Sequence, residues 1–120
     1  MNTPQLKGAR TWLLDAKDKQ SIAQADYDAE VELYKQCERD LLAAFNENVS
    51  TDRFLEIREM KRLQGKIVRE SHQRLSLAMH IVDLAETEYD MAFSRAALAT
   101  HDAARVAPRV ASPAAETTSR

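Results

Sequence analysis

The sequence predicts an all-α fold: a long, coiled-coil-like antiparallel hairpin of two helices, pairing with a second hairpin into a dimeric four-helix bundle. Three observations predict it. Pro4, Pro108 and Pro113 are the only prolines in 120 residues, so nothing in the stretch 5–107 forbids a helix outright. Apolar residues recur at alternating steps of three and four through both halves of the chain. Between the halves, one short segment breaks that repeat with residues that favour caps and turns.

The first helix is expected over about 5–46. Its stripe runs Ala9, Leu13, Ala16, Gln20, Ala23, Tyr27, Glu30, Tyr34, Cys37, Leu41, Ala44, with nine of these eleven positions apolar. A competing expectation is a break near Gln20–Ser21. Asp15 to Gln20 is polar, and Ser21-Ile-Ala-Gln24 has capping-box spacing, which would set off a separate N-terminal helix. The turn is placed at 46–51. There Asn48 can adopt the left-handed conformation that ends a helix, and Ser50, Thr51 or Asp52 can cap the next.

The second helix is expected over about 52–101. Its stripe is Phe54, Ile57, Lys61, Gln64, Val68, Ser71, Leu75, Ala78, Val82, Ala85, Tyr89, Ala92, Ala96, ten of thirteen apolar. A seven-residue repeat held this long is the signature of a coiled coil. Gly65, inside the helix, marks a kink or a close approach. The hairpin domain thus occupies 1–103. Residues 104–120, rich in Ala, Pro, Ser and Thr without periodicity, are expected to be a disordered tail.

So short a turn makes the helices antiparallel neighbours, with residue i opposite roughly 98 − i. Charge agrees with that register. Residues 53–74 carry seven basic and three acidic side chains, and the opposing 24–45 carry six acidic and two basic. Flanking charges of this kind select partner and orientation in coiled coils, for example Arg62 against Asp40. A second apolar row, Met60, Leu63, Ile67, Leu77, Ile81, Leu84 and Met91, runs beside the stripe of the second helix. The first helix adds Leu6, Ile22, Val31, Leu42 and Phe45. That is wider than one neighbouring helix can cover, so a protein partner is expected, either a second copy or a heterologous helix. Trp12, near the open end, joins the row as a candidate anchor.

The formal charge of −2 gives no global basic surface, so nucleic acid is not an expected partner. Cys37, as a single cysteine, suits a reducing compartment. The first residues lack the apolar run of a signal peptide, and no window reaches the ~18 apolar residues of a membrane span. The expected location is cytoplasmic. His72, His80 and His101 have no Glu three residues before them and no His-x-x-x-His partner, so neither a metal nor another cofactor is expected.

Two local patterns carry resemblances to catalytic families. Arg74 to His80 and Arg95 to His101 both fit Arg-x5-His. This spacing is similar to the active-site motif of the HEPN family, small all-helical proteins that include ribonuclease toxins. The resemblance implies an Arg and a His acting together on an RNA phosphodiester at a dimer interface. Leu75 and Ala96 stand where that family usually has a polar residue. Ser71-His72-Gln73-Arg74-Leu75-Ser76 looks like the phosphoacceptor box of histidine-kinase dimerisation helices, with Leu77 in place of its proline. In architecture alone the chain resembles hairpin stalks and chaperones of bacterial secretion machines, or small phage-encoded binding proteins. The leading expectation is a non-catalytic helical interaction protein: an adaptor, small chaperone, regulator or assembly component. The alternative is a HEPN-like ribonuclease or a histidine phosphotransfer module.

Overall fold

A computed structural model shows two long helices packed as a hairpin, α1 (Pro4–Glu47) and α2 (Thr51–Ser119), with no strand among the described residues. Residues 3–119 are described, with side chains only as far as 104, so the side chains of the expected tail lie outside the description. Thr3 begins α1. Its Oγ1 accepts from the Leu6 amide at 3.1 Å, its carbonyl accepts from Lys7, and Pro4 occupies the first helical position, where no amide is needed. α1 then runs unbroken through Gln20–Ser21, so the separate N-terminal helix does not form. Ser21 and Gln24 are exposed positions within a continuous helix. A seam that carries on through Ala16, Gln20 and Ala23 outweighs a local capping pattern.

The turn is built from three residues. Asn48 has φ 60°, and the Val49 amide donates to the Ala44 carbonyl at 3.3 Å, the six-to-one bond of a Schellman end. Of the three candidate caps, Ser50 is the one used: its Oγ accepts from the Arg53 amide at 3.3 Å and its carbonyl from Phe54. Val49 and Phe54 take the positions of a hydrophobic staple and line one hollow with Ala44.

The chain divides into two compact units, each made from both helices. One spans Ala16–Val82 and holds the turn. Every expected stripe position in it is buried or half-buried. Its middle is polar: Gln64 Nε2 donates to the Glu30 carbonyl at 3.0 Å and to the Glu30 carboxylate at 2.6 Å. The Tyr27 and His72 rings meet at 5.5 Å, and Lys61 Nζ stands 5.7 Å from the centre of the Tyr34 ring. Tyr34 also explains Gly65, because a Cβ there would lie 3.3 Å from Tyr34 Cε2. These contacts pair residues close to the expected register.

The other unit comprises the chain up to Asp15 and from Asp83 onward. Leu6, Ala9, Ala92 and Ala96 form its core, with Tyr89 packed against them. Leu6 therefore belongs to the seam and extends it by one step, rather than to the second row. Ala85 has no exposed surface at all. Alanine at so many core positions lets two helices approach closely while burying little area per residue.

The opposed charges do not meet as the sequence suggests. Lys35–Glu32, Arg53–Glu56 and Arg62–Glu59 are all contacts within one helix, three residues apart. Arg62 gives its Nε and Nη2 to Glu59, while Asp40 accepts from Gln36. The Arg62 hydrogen bonds hold the Glu59 carboxyl below its ordinary range, and Glu59 raises the guanidinium. Side chains on the outer flanks reach a neighbour on their own helix more easily than one across the seam. A double-mutant cycle of Arg62→Glu and Asp40→Lys should therefore show coupling below about 0.5 kcal/mol in thermal unfolding. Coupling above that would mean the two strips do pair across the hairpin.

Candidate partner-binding face

With the buried stripe written as a and d positions, the remaining side chains of each helix fall on two flanks. On one flank lie e and b positions. In the unit of the turn, Glu38, Leu42 and Phe45 of α1 share a hollow with Phe54 and Lys61 of α2, and Arg58 and Arg62 share one with Tyr34 and Leu41. On the opposite flank lie the g and c positions, which in α2 are Met60, Leu63, Ile67, Leu77 and Ile81, the expected second row. Met60, Leu63, Ile67 and Leu77 are exposed, Leu77 to 60%, and Ile81 is half-buried. α1 contributes Ile22 and Leu33 to the same flank, both exposed. In the other unit, Leu84 and Met91 hold the corresponding positions on α2 and Trp12 on α1, all exposed. Steps of three and four keep each row on one side of its helix, because two turns take about seven residues.

The residues expected from the first helix divide between the flanks: Ile22 lies beside the row, whereas Val31, Leu42 and Phe45 lie on the opposite side. Leu42 and Phe45 (70% exposed) sit on the e and b flank with Leu55 and Met79, and Phe93 lies at an e position of the other unit. Val31, at an e position in the unit of the turn, is half-buried. Leu98 extends the c positions of α2. Leu55, Met79, Phe93 and Leu98 stand outside the expected set, because in the sequence they are isolated apolar residues that form no row of their own.

The catalytic candidates are dispersed. Six residues apart on a helix means about 120° around its axis, so Arg74 and His80, or Arg95 and His101, do not share a face. Arg74 is turned instead onto Ser71, its Nη2 donating to the Ser71 Oγ at 2.9 Å. Arg95, His80 and His101 are exposed. His72 is exposed as well, with its ring tilted against Tyr27. Among the described residues no cluster of His, Cys, Asp or Glu has a metal-binding arrangement, and no helix is long and apolar enough to cross a membrane. Comparison with family models, with curated proteins and with solved structures finds no match to the chain.

Proposed function

We propose that the chain is a non-catalytic helical interaction protein that lays the g and c row of α2 against another helix, in the first place one of a second copy. One observation carries this reading. With the hairpin fully packed, Met60, Leu63, Ile67 and Leu77 remain exposed on one flank of a single unit, in a periodic row. Apolar surface in so regular a pattern marks an interaction site on a water-exposed helix. Adaptor, small chaperone, regulator and assembly component are all roles open to such a surface. A reducing cytoplasmic setting suits the half-buried thiol of Cys37, and no cofactor is needed.

Hydroxyl-radical footprinting tests the surface, because two methionines report on the two flanks. Met60 (row) and Met79 (opposite flank) are 56% and 48% exposed. As concentration rises and the chain associates, Met60 oxidation should fall several-fold while Met79 oxidation holds. Equal behaviour of the two would remove the row from the binding surface.

A further inference from the structure

The row on α2 reads alike in both directions. Leu63, Ile67, Glu70, Arg74, Leu77 and Ile81 occupy successive c and g positions, centred on residue 72. Reversing the order exchanges apolar residues for apolar residues and Glu70 for Arg74. The same flank of α1 carries Ile22 and Leu33, which are centred between residues 27 and 28. The two centres lie at one level of the unit, since the Tyr27 ring packs on His72 at 5.5 Å.

We infer that the row is built for a second copy of this chain, related by a two-fold axis that crosses the hairpin at the level of Tyr27 and His72. Under that axis α2 runs antiparallel to α2 of the second copy. Leu63 then stacks on Ile81 of the second copy, Ile67 on Leu77, and Glu70 pairs with Arg74, each contact occurring twice. Antiparallel helices pack layers in which positions of one kind meet positions of the other, and every layer here joins a c residue to a g residue. Ile22 meets Leu33 of the second copy in the same arrangement, which completes a four-helix bundle with the turns at opposite ends. A two-fold interface must be self-complementary, and this row is.

The central layer supplies the selectivity. Arg74 is exposed and donates to the Ser71 Oγ at 2.9 Å, and Glu70 is exposed and makes no ion pair among the described residues. A parallel alignment at the same level would set Glu70 beside Glu70 and Arg74 beside Arg74, so charge alone selects the antiparallel one.

The inference rests on the interaction reading, and the experiment separates the two. Glu70→Arg and Arg74→Glu each set like charges together twice, and each should weaken self-association about tenfold or more. Mixed in equal amounts, the two variants should form a heterodimer at wild-type strength, because the doubly basic chain meets the doubly acidic one. In a Cys37→Ser background, Leu63→Cys chains should cross-link with Ile81→Cys chains and not with themselves. Self-cross-linking of Leu63→Cys would show a parallel pair, and cross-linking to Leu33→Cys would show α1 seated on α2. Either result, or a mixture that recovers nothing, overturns this arrangement and leaves the interaction reading standing. A chain that is monomeric at every concentration removes the second copy as partner altogether.

Discussion

Ala85→Asp is expected to bring the chain to the edge of unfolding at room temperature. Ala85 has no exposed surface, so the new carboxylate would have neither water nor room beside the facing helix. An ionised group buried without a partner costs several kcal/mol, and crowding of a close-packed seam adds to that. A loss of about 4 kcal/mol or more is expected, set against a total stability of about 5–15 kcal/mol for a typical domain. Glu86→Asp, at the exposed neighbouring position, is the control and should shift the thermal midpoint little. Thermal melts followed by circular dichroism read both. A small effect of Ala85→Asp would mean that the α-helices do not pack through this seam position.

The second large effect is on association rather than on folding. Leu63→Lys combined with Leu77→Lys places charge at two exposed row positions, 46% and 60% accessible in the single hairpin. Neither contributes much to the seam, so monomer stability should change by no more than about 0.5 kcal/mol per site. Association is different. Burying a leucine contributes about 1.5–3 kcal/mol, and a two-fold interface loses each of these contacts twice. The dissociation constant should rise at least about a hundredfold. The matching pair on the opposite flank, Leu42→Lys with Met79→Lys, should leave association nearly unchanged. If that pair had the larger effect, the binding surface would lie on the e and b flank.

The seam was legible in the sequence almost residue by residue because its signal is long. Each stripe position repeats every seven residues over many turns, and noise at Lys61, Gln64 or Ser71 does not erase it. The turn was legible because Asn48 and Ser50 have chemistry specific to a helix end and a helix start. Local signals fared worse. The capping-box spacing at Ser21 was overridden by packing on either side of it, and Leu6 looked like a flank residue because the seam is hard to trace near a terminus. The charge strips were real in composition, but side-chain reach turned them into contacts along each helix. Arg-x5-His spacing sets its two side chains about 120° apart around one helix, an angle that a spacing read along the sequence does not display. The row was visible in the sequence as apolar residues in excess of one seam. That it stays exposed needed the structure, because only the packed hairpin shows which flank the second helix leaves open.

Sedimentation equilibrium of the intact chain beside the Leu63→Lys, Leu77→Lys variant tests the account most directly. The intact chain should approach twice the 13.6 kDa of one copy as concentration rises, while the variant stays at one copy with unchanged helix content. A variant that dimerises as strongly as the intact chain would contradict the assignment of the row as the face through which this hairpin finds its partner, and two monomers would remove a second copy as that partner.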